Sequence, residues 1–198
     1  MEVIPLIDFL VEMDIAVFYF INVTLANPFF DWFMPFITEK KHWFPVWGIL
    51  IIGLLWKGGK KGRTAVLLII PVIFLSDQLS AHVLKPLIAR PRPCVTLPDV
   101  HMLVDIKRSL SFPSAHAANF FAVATYFNYF YPKYRWVYFS AAFIVAISRV
   151  SIGVHYPLDI IAGGILGGVC ALFVIYTWRG VEKIIEDKRA AKQTNEES

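Results

Sequence analysis

Histidine, aspartate, lysine and arginine recur in this chain beside apolar segments, at spacings that can do chemistry. His155 and Asp159 stand four residues apart, so on one helical turn the carboxylate lies beneath the imidazole. A carboxylate that holds one ring nitrogen fixes the tautomer and leaves the other nitrogen as nucleophile or base. His116 belongs to a different segment and can approach from the other side. Lys85, Arg92 and Arg149 add three cations, two of them guanidinium forks that match a tetrahedral oxyanion with paired hydrogen bonds. Ser114 and the N–H groups where Ser114-Ala115-His116 opens a helix add an anion-binding terminus. A phosphate is the natural guest of this set. One histidine can attack phosphorus while the other protonates the departing oxygen, and the cations take up charge on the equatorial oxygens. The residues alone leave open which histidine does which.

Positioning these groups falls to a membrane-type chain. Of 198 residues, 57% are hydrophobic and 17% charged, and the mean hydropathy is +0.58. A soluble domain carries about 25% charged residues, so disorder, coiled coil, collagen and disulfide scaffolds are excluded and an all-α polytopic membrane bundle is expected. Five spans are read: His42 to Trp56, with Trp43, Trp47 and Trp56 as interfacial anchors, then Thr64 to Leu84, Ala115 to Tyr131, Tyr134 to Val150, and Tyr156 to Trp178. One domain covers residues 1–198, with N-terminal helices over 1–41 and a polar cytoplasmic tail over 179–198 that reads as a helical extension dissolving into a polar end.

The basic residues set orientation. Lys57, Lys60, Lys61 and Arg63, then Lys133 and Arg135, then Arg179, Lys183, Lys188, Arg189 and Lys192 all fall on one side, which the positive-inside rule makes cytoplasmic. Lys85 to Ser114 and Arg149 to His155 then face the opposite side, where the chemical residues gather against the rule. The net charge of +4 is a topology signal plus an anion pocket, and no nucleic-acid partner is expected. Ile4 to Ala26 either spans or, because of its acids and the break at Asn27-Pro28, lies at the interface with Phe29, Phe30, Trp32, Phe33 and Phe36 facing lipid. No secretory signal peptide is expected, since Glu2, Asp8, Glu12 and Asp14 occupy the first turns. Gly163, Gly164, Gly167 and Gly168 form two small-xxx-small pairs for close helix packing. Cys94 and Cys170 are not expected to form a disulfide. Asp77, Gln78, Ser80 and His82 lie inside the span before Lys85; Gln78 and His82, seven and three residues before it, either share its face and seat that lysine or bond between helices.

At these positions the chain resembles the type 2 phosphatidic acid phosphatases, whose signature has three parts. Lys85 to Pro93 (KPLIARPRP) matches the first, Pro113-Ser114-Ala115-His116 resembles the second, and Ser148 to Asp159 (SRVSIGVHYPLD) matches the third. The resemblance implies that His155 is the nucleophile, forming a phosphohistidine, and that Asp159 orients it. His116 would be the acid for the leaving group and then the base for water. Lys85, Arg92, Ser114, Ala115 and Arg149 would hold the phosphate, with Arg90 as a further phosphate or headgroup contact, and with no metal and no cofactor. The family has glycine at position 115; alanine serves there if its φ is negative, as in a first helical turn. Vanadium-dependent haloperoxidases share the motif but resemble larger soluble proteins.

The implied substrate is a membrane lipid phosphate or diphosphate, because short bacterial members include undecaprenyl diphosphate phosphatases, phosphatidylglycerophosphatases of the B type and lipid A 1-phosphatases. The expected place is the bacterial inner membrane, with the active site facing the periplasm, the C-terminus cytoplasmic and no obligate protein partner. The rivals are a phosphate transporter and a non-catalytic protein on the same bundle. A transporter would line both membrane halves with charge, and the cytoplasmic halves here are apolar.

Overall fold

A computed structural model describes residues 3–196, and every regular element among them is helical. Helix α1 (Val3–Tyr19) runs into a π-helical turn (Phe20–Thr24). The chain then breaks at Asn27, whose Oδ1 accepts the N–H groups of Phe29 and Phe30 at 3.1 Å each and so caps α2 (Pro28–Thr38). Pro28 fits that first turn because its missing N–H would have no helical partner. The two helical arms meet at 113°. Helix α3 (Lys40–Lys57) passes through Gly58 and Gly59 into α4 (Gly59–Gln78). Gly59 has φ +56°, a turn conformation that favours glycine. A second π-helical stretch (Leu79–Leu84) carries α4 into α5 (Lys85–Ile88), and a loop holding α6 (Pro93–Thr96) leads to α7 (Ala115–Phe130). Helices α8 (Arg135–Ser151) and α9 (Pro157–Glu196) complete the chain.

Helix α7 is the central post, with α4, α8 and α9 packed around it. Its alanines Ala117, Ala118, Ala122 and Ala124 are buried, as are Tyr126, Phe127 and Phe130. Tyr126 donates its hydroxyl to the Ala65 carbonyl at 2.9 Å, satisfying a polar group that this apolar contact buries. A Cβ added at Gly167 would stand 2.0 Å from the Ala118 carbonyl oxygen, and one at Gly163 would stand 2.5 Å from that of Ser114. That pair of glycines is what lets α9 lie directly against α7. Asp77 accepts a hydrogen bond from Asn119 at 3.1 Å, so this polar residue of α4 bonds between helices.

Two helical runs, Gly59–Thr96 and Pro157–Thr194, are long and apolar enough to cross a membrane, and the bent N-terminal pair makes a third if it is one span. Two of the five expected spans lie in those runs. The other three coincide with α3, α7 and α8. The first of these includes Lys40, Lys41 and Lys57, while α7 and α8 are 16 and 17 residues long. One local expectation changes. Phe29, Trp32 and Phe36 are exposed, but Phe30 and Phe33 turn inward onto Met34, Ile152 and Val154. The helical extension expected after Trp178 is present: α9 stays helical to Glu196, 40 residues or about 60 Å, roughly twice a bilayer's apolar thickness.

Candidate active site

His155 sits in the short connection between α8 and α9. Gly153, at φ +84°, turns the chain back, and the Arg149 carbonyl accepts the N–H groups of Val154 and His155 at 3.2 Å each. Helix α9 begins two residues later with Asp159 in its first turn, where the helix dipole favours a carboxylate. Asp159 Oδ2 accepts the Tyr156 N–H at 2.8 Å and lies 3.3 Å from His155 Nδ1. The pair read as one helical turn therefore closes across the helix start, with the histidine outside the helix. Ser111 donates its hydroxyl to the same carboxylate oxygen and stands 3.3 Å from His155 Nδ1. His155 Nε2 faces Arg92 Nη1 at 3.0 Å. Burial drives the imidazole down to about 3; Asp159 pulls the other way, and Arg92 and Arg149 reinforce the lowering. His155 is thus a neutral base with one nitrogen held and one directed at a guanidinium.

The cations differ in how they are held. Arg92, 6% exposed, gives Nε to the Ser109 carbonyl at 2.8 Å and Nη1 to the Val154 carbonyl at 2.7 Å. Arg149, equally buried, gives Nη1 to Thr38 Oγ1 at 2.8 Å, while its Nε is buried without a hydrogen-bond partner among the described residues. Lys85 donates to the carbonyls of Leu110, Ser111 and Pro113 at 2.9, 3.0 and 2.9 Å, tying down the segment that leads into α7. Arg90 stands behind the dyad, bound to Asp159 Oδ1 at 3.0 Å and to Asp14 Oδ2 at 2.6 Å.

Ser114 caps α7: its side chain accepts the Ala117 N–H at 3.4 Å, and its own N–H donates to the Asp159 carbonyl at 2.9 Å. Ala115 is the first residue of α7 and is not among the positive-φ residues, so its methyl group meets the backbone requirement stated for that position. His116 lines two cavities at once. The polar one, of 540 Å³, is shared with Thr38, Lys40, Lys107 and Arg149. The apolar one, of 280 Å³, is bounded by Trp43, Phe44, Trp47, Phe120 and Val123.

The residues singled out in the sequence thus gather around the α7 and α9 starts. Three others at the site went unread. Ser111 lies just outside the second motif. Thr38 and Asp14 come from the N-terminal helices, whose acids look like interface signals when read singly.

The pattern of the PAP2 superfamily matches residues 66–183 of this chain. The chain belongs to the PAP2 superfamily. This PAP2 chain is 33% identical over 172 residues to the bacitracin transport permease protein BcrC of Bacillus licheniformis, covering 84% of this chain and 81% of that one. It is also 33% identical over 175 residues to a lipid A 4'-phosphatase of Bacteroides thetaiotaomicron, covering 82% and 76% respectively. Among solved structures, Aquifex aeolicus LpxE superposes with a TM-score of 0.71 at 26% identity, over 82% of this chain and 94% of that one.

Proposed function

We propose that this PAP2 protein is an integral-membrane lipid phosphatase that works at the extracytoplasmic face through a phosphohistidine on His155. The observation that carries the reading is the buried His155, with Nδ1 on Asp159 and Nε2 turned to Arg92, beside an Arg149 whose Nε has no partner among the described residues. In the first step Nε2 forms a bond to phosphorus and the P–O bond to the lipid breaks. His116 donates a proton to the departing oxygen, and Asp159 stabilises the positive charge that grows on His155. Arg92 and Arg149 hold the equatorial oxygens, Lys85 adds charge from behind, and the start of α7 at Ser114 and Ala115 adds its dipole. In the second step His116 takes a proton from water, water attacks phosphorus, the P–N bond breaks, and inorganic phosphate leaves. Neither step requires a metal or a cofactor.

The substrate is a lipid phosphomonoester or diphosphate. The lipid A 4'-phosphatase relative supports this class, as does the apolar cavity that meets the polar one at His116. The other candidates are lipid A 1-phosphate, undecaprenyl diphosphate and phosphatidylglycerophosphate. Five spans in a bacterial inner membrane, with the basic links cytoplasmic and the site facing the periplasm, agree with the charge pattern. The relative named as a permease raises transport as a second reading. The tight apolar contact of Val72, Ala122, Val123, Tyr126 and Ala171 supports hydrolysis over conduction.

Inorganic phosphate released in detergent from lipid A, undecaprenyl diphosphate, phosphatidylglycerophosphate and phosphatidic acid tests the proposal. Wild type is expected to hydrolyse at least one of them with EDTA present, and His155→Ala none. Release from no lipid, or a strict requirement for added Mg²⁺ or Zn²⁺, would defeat it.

A further inference from the structure

We infer that Asp14, on the N-terminal helix, is a positioning residue of the active site, acting through Arg90 on Asp159 and so on His155. The inference rests on the phosphatase reading above. Asp14 is 3% exposed, whereas Asp8 and Glu12 of the same helix are exposed. A buried carboxylate in an apolar helix is costly unless it is paired, and both oxygens here are occupied. Oδ2 accepts from Arg90 Nη2 at 2.6 Å, and Oδ1 accepts the Leu158 N–H at 2.8 Å. Arg90 gives its other terminal nitrogen to Asp159 Oδ1 at 3.0 Å, and its guanidinium lies over the Tyr156 ring at 3.8 Å from the centroid. Leu158 and Tyr156 flank Pro157, where α9 starts. One carboxylate of the first helix therefore grips the turn carrying His155 and Asp159 twice, through its backbone and through a guanidinium.

The division of Arg90 between two carboxylates has a chemical consequence. An arginine left alone with a single carboxylate tends to take both oxygens in a bidentate fork. Asp14 holds back half of the guanidinium, so Arg90 engages Oδ1 of Asp159 and leaves Oδ2 to His155, Ser111 and the Tyr156 N–H. Without Asp14 the fork is free to rotate onto Asp159 and compete for Oδ2. Without Arg90, two buried carboxylates lose the cation between them. Neither residue lines the cavity beside His116 and Arg149, so the brace acts on the chemical step and leaves substrate binding alone.

The test is steady-state phosphate release in detergent from whichever of the four lipids wild type hydrolyses fastest. Asp14→Asn and Arg90→Gln are each expected to lower kcat about tenfold with KM within about twofold, and the double variant to fall no further than the worse single. Glu12→Gln, on the same helix but exposed, should match wild type. Should Asp14→Asn fail to accumulate as a folded protein, Arg90→Gln carries the same reading from the other end of the brace. An active wild type with unchanged kcat in the variants, losses that multiply in the double variant, or a rise in KM in place of the kcat loss would overturn the inference and leave the phosphatase reading intact. A wild type inactive on all four lipids would instead remove the phosphatase reading itself.

Discussion

Arg149 lines the polar cavity with Nη1 held by Thr38 and Nε without a partner among the described residues, and in the proposed reading its guanidinium receives an oxyanion. Lysine offers a point charge and cannot hold Thr38 and two phosphate oxygens in one plane. Arg149→Lys is therefore expected to raise KM for the lipid phosphate and the Ki of orthovanadate, a tetrahedral mimic, by about tenfold or more; an unchanged Ki would refute this. His155 carries a second expectation. Its folded value of about 3 lies below the ordinary 6.5, so the unfolded chain binds a proton that the folded site refuses. Stability from the buried neutral ring is intact above about pH 6.5 and is lost as the pH falls toward 3. The melting temperature in detergent should fall between pH 6.5 and 4 for wild type and fall less for His155→Gln; parallel curves would count against it. His155, Asp159, His116 and the three cations were legible because their spacing within motifs is local. Asp14 and Thr38 were not, since they meet Arg90 and Arg149 only after the chain has folded back on itself.

Helix contacts decide whether those residues meet. The Gly163 and Gly167 faces put the first turn of α9 against the first turn of α7, which brings the Ser114 N–H onto the Asp159 carbonyl. Gly167→Ala would force a methyl into the Ala118 carbonyl and is expected to lower stability by about 1–3 kcal/mol. Gly168→Ala, whose nearest neighbour is 3.7 Å away at Thr125 Oγ1, should be neutral or slightly stabilising, because alanine favours helix over glycine. Detergent melting curves of the two variants check this; equal shifts would show that the close contact is not limiting. The glycine pairs, the break at Asn27-Pro28 and the helical class were all readable from pattern. The inward turn of Phe30 and Phe33 was not, because an aromatic at an interface looks the same from sequence whether it meets lipid or a neighbouring helix. Nor was the docking of the N-terminal pair. Asn22 donates to the carbonyls of His101 and Ser151 at 2.8 Å each, and Asp31 meets His101 at 2.9 Å, so these helices are fastened to the loops around the site.

At the scale of the whole molecule, the basic links and the chemical residues occupy opposite ends of the bundle, and the proposed orientation follows from that separation. In a background of Cys94→Ser and Cys170→Ala, Asp105→Cys should react with a membrane-impermeant maleimide in intact cells, and Lys60→Cys only after permeabilisation. The reverse pattern would invert the proposed site. The separation of basic links from chemical residues was legible from charge alone, while the spans were less so, since α7 and α8 are only 16 and 17 residues long and end at the loops that carry the chemistry. The uninterrupted course of α9 makes it a depth gauge. Asp159 sits in its first turn and its polar residues stand at the far end, so every residue counted along it moves a probe by about 1.5 Å along the helix. Spin labels placed at successive exposed positions would find where the helix leaves the lipid. Counting back from that point gives the depth of His155 and Asp159, and so of the proposed cleavage.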